Sequence, residues 1–219
     1  MPPEEPGEGR EAADPEDVLS YWFPEDDIFE ADRETFGRQM QWWFQGGQEV
    51  DWEISERFVD VLEQARRGKP DSWAETPRGR LALIVVLDQF SRNVYRGSPL
   101  SHTQDEKALK LAVEDIDAGM DRELRLMERI FFWMPLAHSE DLALQDRVVR
   151  HQEEEAVNAP PHLRAMVEFG VSQARAARDV IARFGRHPHR NEILGRTSTR
   201  EELEYLRSET PPHMRRPPS

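Results

Sequence analysis

One stretch concentrates groups able to grip an oxyanion: R-F-G-R-H-P-H-R-N-E-I-L-G-R over residues 183–196. Arg183, Arg186, Arg190 and Arg196 stand there with His187, His189 and Asn191 against a single acid, Glu192. An arginine fork meets a planar carboxylate or a phosphate with two parallel hydrogen bonds, so Arg183, Arg186, His189, Arg190 and Asn191 form a candidate anion site. Two other segments offer partners. In L-D-Q-F-S-R-N (87–93), Asp88 and Arg92 are four apart and share one helix face, and Gln89 and Asn93 share the next. In H-S-E-D (138–141), His138 and Glu140 come just before a helical stretch. An imidazole at the positive end of a helix dipole holds its proton less tightly and can serve as a base or a hydrogen-bond donor. Asp88 would then orient, Arg92, Arg183 and Arg190 would hold an anion, and His138 or His189 would move a proton. A structural reading of the same residues stays open: an intrahelical Asp88–Arg92 pair, a loop histidine bonded to a carbonyl, and arginines that neutralise the protein's own acids.

Other chemistries lack their residues. There is no cysteine, which removes disulfides, thiolate catalysis and Cys-ligated zinc. His187 and His189 are two apart around Pro188, and neither H-E-x-x-H nor a calcium loop occurs, so no metal is expected. No P-loop, dinucleotide fingerprint or G-x-S-x-G elbow is found, and no cofactor is expected. A net charge of −14 opposes phosphate-backbone binding, so nucleic acid is not an expected partner. No apolar run approaches the roughly 18 residues of a membrane span, and the acidic start lacks an apolar signal core, so a cytoplasmic protein without a membrane partner is expected. Oligomeric state is left open.

The elements that must position these groups read as helix after helix. Asp14-Pro15 and Thr76-Pro77 pair an N-cap with a proline at the first helical position. Pro24 stops the first helix. The next is expected over 32–45, ending at Gly46-Gly47, and a third is expected from Asp51 as cap to Gly68. L-A-L-I-V-V-L (81–87) suits a buried strand or a helix apolar all round; its place inside a capped segment, with no strand to pair with, favours helix. Further helices are expected over 104–118 capped by Thr103, over 122–134 with Pro135 weakening the end, and from Ser139 as cap to 156. The longest begins at Pro160-Pro161 and stops at Gly185, and T-R-E-E at 199–202 is a capping box opening the last. Trp22, Trp42, Trp43, Trp52 and Trp73 read as packing of the N-terminal helices. The expected fold is all-α, an antiparallel helical array over 14–207 between disordered tails at 1–13 and 208–219.

V-L-S-Y-W-F, W-A-E-T-P-R-G-R-L-A-L, L-D-Q-F-S-R-N, M-P-L-A-H-S-E-D-L and the 183–196 stretch together resemble the bacterial family catalogued as domain of unknown function 924, over about residues 15–207. The resemblance implies a tetratricopeptide-like superhelix and places the segments around Asp88, His138 and His189 in one pattern. Ser91 stands where the family usually shows proline, His187 where it shows phenylalanine, and Ala177 where histidine is common. Two functions fit these readings. One is a binding module whose Arg/His site (Arg92, Asn93, Glu140, Arg183, Arg186, Arg190, Asn191) holds a small anionic ligand or a peptide or protein terminus. The other is a metal-independent enzyme acting on a small anionic substrate, with His138, His189 or Asp88 in acid–base roles.

Overall fold

The structure is a computed structural model that describes residues 13–24, 33–69, 71–161 and 163–212. The tail at 1–13, Ala13 excepted, and residues 213–219 of the C-terminal tail lie outside the described residues. The fold is all-α, with no strand among the described residues.

Helix α1 (Pro15–Trp22) starts where sequence places it: the Asp14 side chain accepts from the Asp17 amide, and Asp17 answers to the Asp14 amide. Helix α2 (Arg33–Gln45) ends at Gly46, and α3 (Gly47–Arg66) follows at once. Asp51 is therefore not a cap. It lies one turn inside α3, where its carboxylate accepts from Asn93 (2.8 Å) and Arg96 (2.5 and 2.7 Å). The tryptophans largely pack as expected. Trp22, Trp43 and Trp73 are buried, and the Trp43 indole donates to the Trp22 carbonyl at 2.8 Å. Trp52 is the exception, 66% exposed on the outer face of α3.

Thr76 caps α4 (Pro77–Ile84) through the Gly79 amide, and the apolar run 81–87 is helical and buried on all sides. The helix widens into a π segment (Val85–Phe90) before a last turn, α5 (Ser91–Val94). Such widening inserts a residue into the i→i−4 ladder and is frequent at functional sites. Here it carries Asp88 into the interior.

Helix α6 (Asp105–Ala118) closes at Gly119 in the left-handed region, φ 76°. Its cap position is Gln104 and makes no side-chain cap bond; Thr103 instead bonds back to the Leu100 carbonyl. Helix α7 (Leu126–His138) begins four residues later than expected, because Met120–Glu123 form a separate 3-10 turn. Pro135 does not end it. Asp141, not Ser139, caps α8 (Leu142–Asn158), accepting from the Ala143 and Leu144 amides. Buried Gln145 reaches back to the Ala137 and Ser139 carbonyls and closes the end of α7.

Helix α9 (Arg164–Phe184) stops at Gly185, φ 68°. Antiparallel packing follows from cross-helix pairs. Arg129 with Glu155 and the Trp133–His151 stack (3.9 Å) run α7 against α8; Arg175 with Glu153 and Arg178 with Asp146 run α8 against α9. The core runs through α1, α3, α4, the π segment and α7, with a ring cluster of Trp22, Trp43, Phe58, Phe90 and Phe131 at its centre.

Thr199 caps α10 (Arg200–Ser208) by the expected box. Residues 208–212, assigned by composition to a tail, return onto α9: Pro211 and Pro212 are buried, and Gln173 donates to the Pro212 carbonyl at 2.6 Å. Glu202 does more than cap. It accepts a bidentate pair from Arg186 (2.6 and 2.9 Å) and the Thr199 amide. Arg186 first, and then the Thr199 amide and Asn191, pull its pKa down to about 2 against the opposing effect of burial. A group depressed in the fold contributes stability above its unfolded value and loses it as pH falls toward the folded one. Unfolding midpoints should therefore drop between about pH 4.5 and pH 2, and Glu202→Gln should be less stable at neutral pH and flatter across that window in urea titrations. An unchanged acid limb in the variant would show that the contribution lies elsewhere.

Candidate functional site

The site grows from the end of the apolar run 81–87. Asp88 is fully buried, and a buried carboxylate needs partners. Arg92 supplies one, with Nη1 at 3.0 Å from Asp88 Oδ1 and donating to the Asp88 carbonyl at 2.6 Å. Gln89 donates to Asp88 Oδ2 at 2.5 Å, so Gln89 leaves the face it was expected to share with Asn93. His138 supplies the third partner, its Nδ1 lying 2.8 Å from Asp88 Oδ1.

The same arginine reaches a second aspartate. Arg92 Nη2 lies 3.0 Å from Asp105 Oδ1 and 3.1 Å from Oδ2, and Asp105 Oδ2 lies 3.2 Å from Nδ1 of His102. Two aspartate–histidine dyads, Asp88–His138 and Asp105–His102, are thus bridged by one guanidinium. In each, the carboxylate fixes Nδ1–H and leaves Nε2 as the free nitrogen. Neither Nε2 has a hydrogen-bond partner among the described residues, and His138 keeps 23% of its side chain exposed.

Arg190 closes the group. It stands on the 3-10 turn Pro188–Arg190, and its Nη1 donates to the His138 carbonyl at 2.8 Å and lies 3.9 Å from Asp105 Oδ2. One guanidinium nitrogen therefore touches the backbone of one histidine and neighbours the aspartate that anchors the other.

Burial pushes the Asp88 carboxyl up, but Arg92, His138 and Gln89 together outweigh it and hold it well below the usual carboxylate range. His138 moves the other way: burial and the Arg92 charge depress its pKa, more than the Asp88 carboxylate raises it, and Arg190 adds to the depression. The imidazole is neutral at physiological pH. The expected direction holds, but its expected cause does not, because His138 is the last residue of α7 and not the entry to α8. It sits at the negative end of a dipole worth about 0.3–1 kcal/mol, which favours the proton and loses to desolvation.

Several other candidates serve the structure. Asn93 is bound to Asp51. Glu140 accepts from the His187 amide at 2.8 Å and from both Arg196 Nη atoms at 2.7 and 2.9 Å, which straps the 187–196 segment to the α7–α8 junction. Arg183 pairs with Glu201 and Glu209, and Arg186 with Glu202, so the acids of α10 and of its C-terminal cap take up that part of the basic patch. Buried Asn191 donates to Ser198 at 3.0 Å. His189 lies on the Arg190 turn, with its ring 5.3 Å from that of His187. Ser91 is buried beside Asp88 and Arg92 in sequence, and Ala177 is half-buried on α9. His102 and Asp105 are additions that sequence reasoning missed.

A cleft of about 540 Å³ opens at His102, lined by Pro99, His102, Thr103, Glu192, Ile193, Leu194 and Gly195. One wall is the turn that ends at His102, and the other is the strap that carries Arg190. No group of three or more metal-ligating side chains occurs among the described residues, and no described helix is long and apolar enough to cross a membrane.

Comparison with known proteins places this geometry in a lineage without giving it a role. No match was found among curated proteins. A solved structure from Agrobacterium tumefaciens, described as protein of unknown function ATU0120, superposes with a TM-score of 0.65 at 35% identity, covering 76% of this chain and 89% of that one. A family model described as a bacterial protein of unknown function matches residues 18–210. The chain belongs to that bacterial family, domain of unknown function 924.

Proposed function

We propose that the protein binds a small monoanion, its charged group on Arg190 between His102 and His138 and its remaining bulk in the adjoining cleft. The state of Arg190 supports this most. Its side chain is only 12% exposed, its one hydrogen bond among the described residues goes to a neutral carbonyl, and its nearest carboxylate is 3.9 Å away. Glu140 is matched by Arg196, and Arg92 is shared between Asp88 and Asp105, whose second charge Arg190 faces only at 3.9 Å. A largely desolvated guanidinium with free donors favours an anion that completes its fork. A dianion suits the place less well, because Asp88 and Asp105 stand close by.

A free carboxylate and a phosphodiester share this chemistry, and the C-terminus of a peptide is one source of the former. The antiparallel run of α7, α8 and α9 fits a tetratricopeptide-like array, a fold whose concave faces commonly take peptide ends.

Thermal unfolding in the presence of acetate, dimethyl phosphate, and a peptide with free or amidated C-terminus tests the reading. A ligand at a hundred times its Kd adds about 2.7 kcal/mol of stability. At least one of the three anions should raise Tm in the native chain and not in Arg190→Gln, with the amidated peptide inert. If no anion raises Tm, or Arg190→Gln responds equally, the proposal fails.

A further inference from the structure

Resting on that reading, we propose that the site hydrolyses small phosphodiesters by general acid–base catalysis, His138 taking a proton from water and His102 giving one to the leaving oxygen. Three observations carry it.

Two imidazoles belong to dyads that Arg92 bridges, and Arg190 touches the backbone of one and neighbours the aspartate of the other. Each is anchored at Nδ1 by its own aspartate (2.8 and 3.2 Å), and each keeps Nε2 free. One anchored imidazole suffices to bind an anion. Two that are each anchored by an aspartate and joined through one arginine offer the two members of an acid–base pair.

Among the described cations around the dyads, Arg190 alone has no carboxylate at hydrogen-bond distance. An anionic carboxylic ester would need one cation for its charged group and other donors for the oxyanion. In a phosphodiester the charge is on the reacting group itself, so Arg190 can both bind the substrate and stabilise the transition state. A phosphomonoester dianion would meet Asp88 and Asp105 with no second open cation. The net charge of −14 turns away long nucleic-acid chains, which leaves small diesters.

The cleft is open to water and in part apolar, through Pro99, Ile193 and Leu194, which suits an organic substituent on phosphorus.

The step balances without another reactant than water. His138 Nε2 accepts a proton from water, and the water oxygen forms a new P–O bond as the P–O bond to the leaving group breaks. The leaving oxygen takes the proton of the His102 imidazolium, which Asp105 pairs. A phosphomonoester and an alcohol or phenol result, and proton exchange with solvent resets both rings. His138 and His102 would be catalytic residues, and Asp88 and Asp105 positioning residues.

The test uses the full chain with bis(4-nitrophenyl) phosphate and with diphenyl phosphate, whose phenolate is the poorer leaving group, in the presence of a chelator. Turnover with a bell-shaped pH profile is expected. His138→Gln should lower it by about 10²-fold or more on both substrates, and His102→Gln should lose more on diphenyl phosphate. Helical circular dichroism and cooperative unfolding of each variant separate these losses from misfolding, and the pH profile of the native chain stands independently of any variant. No turnover above Arg190→Gln, turnover abolished by the chelator, no acidic limb in the profile, or full activity in a folded His138→Gln would each overturn the catalytic proposal. If any of the three anions still raises Tm through Arg190 in those cases, the binding reading survives alone. If none does, the two fall together.

Discussion

Asp88→Asn should cost the fold about 3 kcal/mol, near the lower end of the range for removing one partner of a buried ion pair. The asparagine fills the same volume, so the loss reports charge. Arg92 would keep Asp105, and that retained pair is why the upper end of the range is not expected. Without the Asp88 carboxylate, Arg92 Nη1 and His138 Nδ1, which both address Oδ1, would share a neutral amide oxygen, a weaker acceptor than the charged one. The sign with pH is fixed. Because the Asp88 carboxyl is held below its ordinary value of 3.8, its contribution is complete above that value and is lost as pH falls through it. Urea unfolding at pH 7 and at pH 3 should therefore show a smaller gap between native chain and variant at the lower pH. A double-mutant cycle with Arg92→Met separates pairing from packing: the double variant should be less destabilised than the sum of the singles. Strict additivity, or a loss under about 0.5 kcal/mol at pH 7, would mean that the two charges do not depend on each other.

That expectation starts from residues visible in the sequence, because a four-residue spacing at the end of an apolar run needs no tertiary knowledge. Local hydrogen bonding made other features equally legible. Asp14, Thr76 and Thr199 cap their helices as read, since each cap bond spans three residues. Where the reading slipped, several side chains competed for one role. Ser139 and Asp141 could both cap α8, and the carboxylate, the stronger acceptor for two amides, took it. Asp51 had cap chemistry but sat four residues past a Gly46-Gly47 break at which the helix had already begun. The basic stretch at 183–196 was visible as a patch of one sign, but nothing local showed that α10 would fold back and set Glu201, Glu202 and Glu209 against Arg183 and Arg186. His102 and Asp105 escaped for a related reason. Three apart across a turn, they look like solvated polar residues until Arg92 and the Arg190 turn close over them.

Gly79→Ala should be the most damaging single methyl that the fold can receive among its described helical glycines. Gly79 is buried in the first turns of α4, and a Cβ there would stand 2.1 Å from the Trp73 carbonyl oxygen and 3.0 Å from the Trp73 carbonyl carbon and the Thr76 hydroxyl. The obstacle is backbone and has no rotamer to escape into. The turn Asp71–Glu75 that carries it is held from the other side, because Arg80 donates to the Ala74 carbonyl at 2.6 Å. Relief must come from moving α4, whose Leu81, Ala82 and Ile84 are fully buried and whose end runs straight into the π segment bearing Asp88. Overpacking a core costs about 1–3 kcal/mol when side chains can adjust, and with backbone as the obstacle the loss should reach or pass the top of that range. Gly37→Ala is the matched control. It lies exposed inside α2 with nothing within 4 Å of a new Cβ, so the better helix former should leave stability unchanged or raise it by about 0.5–1 kcal/mol. Because α4 runs on into the segment that carries Asp88, Gly79→Ala should also disturb His138 through Asp88, read as a shift of its imidazole nitrogen resonances in a variant that is still folded. If Gly79→Ala proves as mild as Gly37→Ala, the Trp73 turn can retreat, and the close approach of α4 to it is not what fixes the position of Asp88.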